Sequence, residues 1–279
     1  MLVYRTFTEL RAFLNKQVDK GLKVGFVPTM GALHQGHISL VNKSIKQCDL
    51  TVCSIFVNPT QFNDTTDLEN YPRTENQDLK LLEASKCDVV FIPTVSEVYP
   101  TSYKSPVVNL GLLEGVMEGA HRPGHFLGVT QVVGRFFEQI KPDFAFFGEK
   151  DFQQLAVIKK LVSERGFPIQ IMGCDIKRED SGLAMSSRNV RLSTSGLKTA
   201  EILIEQLKWA KENYPILPNS EIEESVKLTF QQEKTIELEY FEIAETLNLQ
   251  PVNSKKQIAR AFIAAHIEGI RLIDNIALN

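Results

Sequence analysis

Short apolar runs alternate with helical patterns up to about residue 172, and this alternation constrains the fold more than any other feature of the sequence. Thr6 and Glu9 have the spacing of a capping box and predict the start of the first helix. The other predicted helices cover 38–48, 75–85, 125–140 and 152–165. The predicted strands have the short, continuous apolar character of buried strands, and they cover 23–27, 50–56, 88–92, 144–147 and 168–172.

Repeated strand–helix–strand units with strands apolar on both faces predict a parallel sheet with helices on each side, a Rossmann-like doubly wound α/β domain. After about residue 175 the pattern changes to two helical stretches, 195–212 and 219–233, and two strand-like runs, 237–241 and 261–265. We therefore predict a first domain over 1–175 and a smaller α+β domain over 176–279. The polar run 177–182 at the boundary is interpreted as a hinge between them.

Charge and composition exclude several classes of protein. The chain has 31 Lys and Arg against 34 Asp and Glu, with 43% hydrophobic residues, which argues against a strongly basic nucleic-acid binder and a disordered acidic chain. We expect no transmembrane helix and no signal peptide, because no run of 18 apolar residues and no basic-then-apolar start occurs. Reduced core thiols and a cytoplasmic location are predicted, because no CxxC pair occurs among the cysteines, which are Cys48, Cys53, Cys87 and Cys174.

The segment from Pro28 to His37, PTMGALHQGH, follows a predicted strand and opens a predicted helix. Its glycines allow a sharp turn and a close approach of the backbone to a ligand. The helix N-terminus offers unpaired N–H groups and a positive dipole end, which suits a phosphate. His34 and His37 are three residues apart, so both can face that phosphate. An ordinary strand–turn–helix connection is the alternative, and two histidines around a glycine at this junction disfavour it.

Two more segments lie at strand ends or helix starts. In FVNPTQF (56–62), Asn58 and Gln61 should reach the carboxyl edge of the sheet, where their amides suit a ligand with hydroxyls and a carboxylate, although a plain polar loop has the same pattern. In GAHRPGHF (119–126), composition alone does not decide between a plain proline–glycine turn before a helix and a functional segment.

The segments GEKDFQQ (148–154) and SGLAMSSRN (181–189) carry the charges expected around a polyphosphate. Lys150 is a point charge suited to α-phosphate oxygens, and a solvated helix start explains a lysine there poorly because the helix dipole disfavours it. In the second segment, two hydroxyls and an arginine near Lys177 and Arg178 are compatible with a mobile phosphate-binding loop, although a helix-capping pair of serines is the more usual interpretation of such a pattern.

HQGH resembles the HxGH signature of the nucleotidyltransferase superfamily, and the longer PTMGALHQGH is similar to a segment of the pantoate–β-alanine ligase family. The segments FVNPTQF, RPGHF, GEKDFQQ, GLAMSSRN and RLIDN (271–275) also resemble segments of that family in the same order. Departures from the family pattern stand at Phe152, Ile176 and Ser181. The resemblance implies a two-step ligase in which pantoate's carboxylate attacks the α-phosphate of ATP, and the amine of β-alanine then displaces AMP from pantoyl adenylate.

The resemblance also implies roles for residues. His34 and His37 would contact the phosphates, Lys150 would stabilise the pentavalent transition state, Gln61 and Gln154 would hold pantoate, and Gln61 and Arg122 would hold β-alanine. Magnesium would accompany ATP with undetermined ligands, and the chain would form a homodimer. The residues implied to bind ATP are Met30, Gly31, Ala32, Leu33, His34, Gln35, Gly36, His37, Gly148, Glu149, Lys150, Asp151, Ile176, Met185, Ser186, Ser187 and Arg188.

Two other functions share parts of this pattern. A cytidylyltransferase-like enzyme would keep the HxGH loop but transfer a nucleotide to a phosphate ester without an amine. A nucleotide-binding regulatory protein would lack the cation that Lys150 supplies. An RNA-binding role is disfavoured because the sequence has no basic face and few Trp and Tyr residues for stacking.

Overall fold

A computed structural model describes residues 1–279, and its first part is built on a six-stranded sheet in which every neighbouring pair is parallel. The strands are β1 (Leu2–Tyr4), β2 (Val24–Thr29), β3 (Leu50–Ile55), β4 (Val89–Phe91), β5 (Phe144–Gly148) and β6 (Gln170–Cys174). The helices are α1 (Phe7–Val18), α2 (Gln35–Gln47), α3 (Thr65–Glu69), α4 (Glu75–Ala84), α5 (Val95–Val98), α6 (Met117–His121), α7 (His125–Ile140) and α8 (Phe152–Arg165). The predicted doubly wound parallel sheet is confirmed.

The strand order β1–β4–β3–β2–β5–β6 reverses direction beside β2. Strand β2 pairs with β3 on one side and with β5 on the other, where Gly25 lies opposite Phe144. Because the chain moves away from β2 in both directions, the loops that leave the carboxyl ends of β2 and β5 diverge and leave a crevice between them. The topology therefore brings the HQGH loop and the GEKD loop to the two sides of one crevice.

Apolar layers cover both faces of this sheet. Within β2, Phe26 packs into the core with α1, α7 and α8, whereas Val27 packs into the opposite core with α2 and α4. The Phe26 ring makes edge contacts with Phe136 and Phe137 of α7, at centroid distances of 5.7 and 6.4 Å. Burial on both faces fixes the strands, so the loops at their ends are held on a rigid base.

The second part is an antiparallel sheet covered by two helices, which confirms the smaller α+β unit. Helices α9 (Thr194–Asn213) and α10 (Asn219–Gln232) precede β7 (Ile236–Glu245), β8 (Ala259–Ile267) and β9 (Ile270–Ala277), in the order β7–β8–β9. This unit has its own core, and a smaller cluster joins it to the first part by packing Met117 of α6 with Tyr240 and Phe262. The domain limits 1–175 and 176–279 stay a prediction.

Some local features differ from the sequence predictions. Strands β1 and β9 were not predicted, since β1 has three residues and β9 carries Asp274 and Asn275 among its apolar residues. The polar run 177–182 belongs to a hairpin, in which Arg178 bridges to Ala184 and the amide of Met185 donates to the carbonyl of Lys177 at 3.0 Å, and its interpretation as a hinge stays a prediction. All four cysteines are free thiols. None of the helices combines the length and the apolar character needed to cross a membrane.

Candidate active site

The principal cleft, of about 1200 Å³ including its open mouth, lies at the carboxyl ends of β2, β3, β5 and β6. One wall is apolar and includes Phe56, Val132, Val133 and Phe136. The remaining walls are formed by polar loops from both parts of the chain, which include the HQGH loop, the GEKD turn and the residues 185–188. The cleft therefore has an apolar side that suits an apolar group of a ligand and a polar side that suits a charged group.

His34 and His37 stand at the start of α2, with ring centroids 4.0 Å apart, and both line the cleft. The backbone N–H of Gly36 donates to Nδ1 of His34 at 3.1 Å, and the backbone N–H of His34 donates to Nδ1 of His37 at 3.3 Å. Since Nδ1 is the acceptor in both rings, each neutral imidazole carries its hydrogen on Nε2. The loop thereby fixes the tautomer of both histidines.

Both imidazoles are neutral at physiological pH. Burial, with the nearby charge of Lys150, lowers the pKa of His34 to about 4. Burial, with His34 and Lys150 adding to it, lowers the pKa of His37 to about 3. These rings therefore offer hydrogen-bond donors rather than positive charge, while the helix N-terminus and Lys150 supply the positive potential.

A buried carboxylate that the sequence did not reveal shapes the HQGH loop. Asp78 of α4 is 1% exposed and accepts hydrogen bonds from the backbone N–H of Ala32 (3.0 Å) and Leu33 (2.8 Å) and from the hydroxyl of Thr74 (3.1 Å). The loop needs this support because Gly31 and Ala32 both have positive φ values, 80° and 49°. From sequence, an acid in the first turn of a helix indicates only a favourable charge for the helix dipole.

Lys150 lies in a three-residue 3₁₀ turn, Glu149–Asp151, between β5 and α8. Its side chain lines the cleft and makes no ion pair or side-chain hydrogen bond. The carboxylate of Glu149 points elsewhere and pairs with Arg260 of β8 at 3.0 Å. Lys150 is therefore a cation in the cleft without a protein counter-ion.

The loop after β3 is locked against α7. The buried side chain of Asn58 donates from Nδ2 to the carbonyl of Gly128 at 3.1 Å and to Oε1 of Gln61 at 3.2 Å. A Cβ atom on Gly128 would lie 2.4 Å from the carbonyl oxygen of Thr60, so helix and loop touch backbone to backbone. Asn58 and Gly128 thus place Gln61 in the wall of the cleft.

Arg122 does not line the principal cleft but a smaller neighbouring cavity. Its Nη1 lies 3.3 Å from Oε2 of Glu118 and 3.2 Å from Nε2 of His125. Burial alone would raise the pKa of Glu118, but the hydrogen bonds and charge of Arg271, helped by Arg122, lower it to about 2. Arg122 is therefore part of a charged network around a permanently ionised Glu118.

Residues 186–188 close the polar side of the cleft. The hydroxyl oxygen of Ser187 lies 3.0 Å from that of Tyr71, and Nη2 of Arg188 donates to Oδ2 of Asp67 at 2.8 Å. The guanidinium of Arg188 also lies over the Tyr71 ring, 5.6 Å from its centroid. The segment between β3 and α4, which carries Asp67 and Tyr71, thus meets the loop that follows the hairpin.

Residues 2–277 match the model of a family described as pantoate-beta-alanine ligase. A pantothenate synthetase of Christiangramia forsetii is 49% identical over 282 residues, covering 100% of both chains. A pantothenate synthetase of Porphyromonas gingivalis is 44% identical over 278 residues, covering 99% of both.

The chain belongs to the pantoate–β-alanine ligase family. Among solved structures of the family, pantothenate synthetase from Thermus thermophilus superposes with a TM-score of 0.93 at 38% identity, covering 100% of this chain and 99% of that one. Pantoate-beta-alanine ligase from Francisella tularensis, complexed with beta-gamma ATP and beta-alanine, superposes with a TM-score of 0.82 at 33% identity, covering 100% and 98%. These findings do not favour the cytidylyltransferase-like alternative.

The structure brings most of the predicted site residues into one cleft. The predicted residues that do not line it are Gly31, Ala32, Leu33, Gln35, Arg122 and Glu149. The structure adds contacts of Asp67, Tyr71 and Asp78 with residues or loops of the cleft, and no role was assigned to these three from the sequence, although Tyr71 begins a segment, YPRT (71–74), that also resembles the family. The predicted residues that line the cleft are Met30, His34, Gly36, His37, Gln61, Gly148, Lys150, Asp151, Gln154, Ile176, Met185, Ser186, Ser187 and Arg188.

Proposed function

We propose that this cleft catalyses both steps of the ligase reaction, with ATP and pantoate bound side by side across the crevice between β2 and β5. The carboxylate of pantoate attacks the α-phosphate and releases pyrophosphate, and the amine of β-alanine then attacks the acyl carbon and releases AMP. The single observation that carries this proposal is an unpaired cation, Lys150, facing the start of α2 across one cleft. No protein nucleophile is needed, so positioning and charge stabilisation supply the catalysis.

The phosphates are assigned to the N-terminus of α2. Both Nδ1 atoms are occupied by backbone donors, so His34 and His37 can donate only from Nε2, and His37 is assigned to the transferring group. Lys150 is assigned to the charge that builds on the α-phosphate oxygens in the transition state. Neutral histidines beside one lysine give directional donors without adding mutual repulsion between cations.

The β- and γ-phosphates are assigned to Ser186, Ser187 and Arg188. Hydroxyl and guanidinium groups bind phosphate oxygens well, and all three residues line the cleft opposite the start of α2. Met185 and Ile176 line the same side, and we assign them to the nucleoside. The remaining ATP residues of the HQGH and GEKD loops contribute through backbone groups and loop shape.

Pantoate is assigned to the space between Gln61, Gln154 and the apolar wall. Its hydroxyls and carboxylate match the two amides, and its two methyl groups match Val132, Val133 and Phe136. An amide pair binds without a net charge, which leaves the carboxylate of pantoate nucleophilic.

β-Alanine is assigned to Gln61 and Arg122. The small cavity lined by Arg122 shares Lys150, Asp151 and Gln154 with the principal cleft, so the amine can lie near the acyl carbon while the carboxylate reaches the guanidinium. Arg122 is already paired with Glu118, so binding there has to compete with a buried ion pair.

Magnesium is proposed to enter with ATP. No group of three or more His, Cys, Asp or Glu side chains in the structure is arranged to hold a metal ion, and the carboxylates that line the cleft are Asp151 and Asp175. Such a site fits an ion that keeps most of its ligands as phosphate oxygens and water.

We also propose that the protein forms a homodimer and lies in the cytoplasm. Sedimentation velocity tests the oligomeric state, and cell fractionation tests the location.

The decisive experiment measures pyrophosphate and AMP release from ATP, magnesium and pantoate, with and without β-alanine. We expect pantoate-dependent pyrophosphate, sustained AMP release only with β-alanine, and a loss of at least ~100-fold in Lys150→Ala. Lys159→Ala, in the middle of α8 and outside the cleft, is the matched control. Folded protein that forms no pyrophosphate with pantoate would overturn the proposal.

A further inference from the structure

The side chain of Asn275, in β9, reaches across to the turn that carries Lys150. Asn275 is 1% exposed, and its Nδ2 donates to the carbonyl oxygens of Glu149 at 3.0 Å and Lys150 at 2.8 Å. Its Oδ1 accepts from Nη1 of Arg260. Both hydrogens and the oxygen of this amide are therefore used, which fixes its orientation.

The turn is held from the second sheet on both of its sides. Arg260 of β8 pairs with the Glu149 carboxylate, and its guanidinium lies 4.3 Å from the ring centroid of Phe152. The side chain of Lys150 has no hydrogen-bond partner or counter-ion. The position of its ammonium therefore depends on where the backbone lies and on the conformation of its own four-carbon side chain. Whatever fixes the backbone of this turn also fixes where the lysine stem starts.

The neighbouring residue of β9, Asp274, binds the hairpin that leads to residues 186–188. Asp274 is 2% exposed and accepts two hydrogen bonds from Arg178, at 2.6 and 3.0 Å. Arg178 also donates to the carbonyl of Gly182 in the hairpin that leads to residues 186–188. Two adjacent side chains of one strand thus contact the turn that carries Lys150 and the hairpin that precedes residues 186–188.

We propose that Asn275 is a positioning residue for Lys150 in the formation of the adenylate. This inference rests on the role proposed for Lys150 and goes beyond it by placing a determinant of the first chemical step in the second sheet. The two carbonyls that Asn275 binds flank the Cα atom of Lys150, so the amide sets the direction in which the lysine leaves the backbone. A small displacement of a charge-stabilising group costs rate rather than ground-state affinity when that group acts in the transition state.

Asn275→Asp tests this role because it keeps the size of the side chain. It replaces the NH₂ group, which donates to the carbonyls of Glu149 and Lys150, with a carboxylate oxygen that repels both carbonyl oxygens. We expect kcat for pantoate-dependent pyrophosphate release to fall at least ~10-fold, with the KM values for ATP and pantoate changed less than about threefold. Asn275→Ser, which keeps one donor, should lie between this variant and the wild type, and it serves if the aspartate variant does not fold.

Asn279→Asp is a matched control. The Nδ2 of Asn279 also donates to two backbone carbonyls, those of Lys255 at 3.3 Å and Gln257 at 2.8 Å, but far from the cleft. The same chemical change there should leave kcat unaltered. Any fall in kcat common to both variants would indicate general damage to the second sheet and overturn the inference.

A double-mutant cycle with Lys150→Ala distinguishes positioning from structural support. If Asn275 acts through Lys150, Asn275→Asp should cost less than about threefold in the Lys150→Ala background, because the group that it positions is gone. An equal loss in both backgrounds, or a lower Tm with unchanged kcat, overturns the inference while leaving the proposed function intact. Wild-type protein without pantoate-dependent pyrophosphate release overturns the proposed function and this inference with it.

Discussion

The carboxylate of Asp67 lies 2.8 Å from the guanidinium of Arg188, a group that we assign to the phosphates of ATP. The other oxygen of Asp67 lies 2.9 Å from Arg191. Burial alone would raise the pKa of the Asp67 carboxyl, but the hydrogen bonds and charges of Arg188 and Arg191 outweigh burial and lower this pKa. Before ATP arrives, Arg188 is thus already paired with an acid of α3.

Asp67→Asn should strengthen ATP binding. The pair is partly exposed, and pairs of this kind contribute about 0–1 kcal/mol, so relief of the competition should lower KM for ATP by up to about fivefold. Glu69→Gln removes one charge from the same short helix at an exposed side chain without an ion pair, and should leave KM for ATP unchanged. A rise in KM for the Asp67 variant would show instead that Asp67 holds Arg188 in its binding position.

His37→Gln should slow adenylate formation. The substitution removes a donor held in one tautomer by the loop, and the loss of one such donor to a transition state typically costs ~10²–10³ in kcat. His266→Gln, in β8 and outside the cleft, where the ring nitrogen lies 3.5 Å from Oε1 of Glu239, is the control. Unchanged single-turnover pyrophosphate release in the His37 variant would contradict the assignment.

The two cleft histidines should not titrate near neutral pH. Their pKa values of about 4 and about 3 lie below the unfolded value of about 6.5, so the unfolded chain binds more protons and stability falls as pH drops below about 6.5. In NMR spectra of protein with carbon-13-labelled imidazoles, the chemical shifts of His34 and His37 should stay constant between pH 5.5 and 8. The two signals are assigned by their loss in the His34→Gln and His37→Gln variants. A midpoint near pH 6.5 for either ring would contradict the burial argument.

Gly128→Ala should disturb pantoate binding from outside the cleft. The added Cβ would meet the carbonyl of Thr60 at 2.4 Å, and neither backbone can rotate away as a side chain would. The turn that carries Gln61 must move, so KM for pantoate should rise by roughly 5- to 30-fold, since one misplaced hydrogen bond costs about 1–2 kcal/mol. Gly134→Ala on the same helix, where the nearest atom is a Leu161 methyl at 3.7 Å, is the control and should bind pantoate normally.

Arg122→Lys should raise KM for β-alanine without slowing pantoate-dependent pyrophosphate release. Lysine keeps the charge near Glu118 but loses the planar fork that pairs with a carboxylate through two hydrogen bonds. Equal effects on both half-reactions would mean that Arg122 only stabilises the network around Glu118.

The sequence predicted well what depends on pattern and local chemistry. Alternating apolar runs were enough for the parallel sheet, and the HQGH and GEKD segments pointed to one edge because each follows a strand. It could not reveal the contacts of Asp78, Asp67 and Asn275, whose partners lie far away along the chain, although Asn275 belongs to the family-like segment RLIDN. Asn275 reads as a polar interruption of an apolar stretch until the fold brings it to the Lys150 turn.

The contact between Asn275 and Lys150 also has a consequence for how the molecule is made. The two residues are 125 positions apart in the chain, and protein synthesis adds about 5–20 residues per second. Asn275 is therefore synthesised on the order of 10 s after Lys150. The parallel sheet can begin to fold during that interval, before Asn275 is present. A nascent chain would thus form the crevice between β2 and β5 before Asn275 can hold the turn that carries Lys150. We expect such a chain to bind nucleotide before it can catalyse adenylate formation.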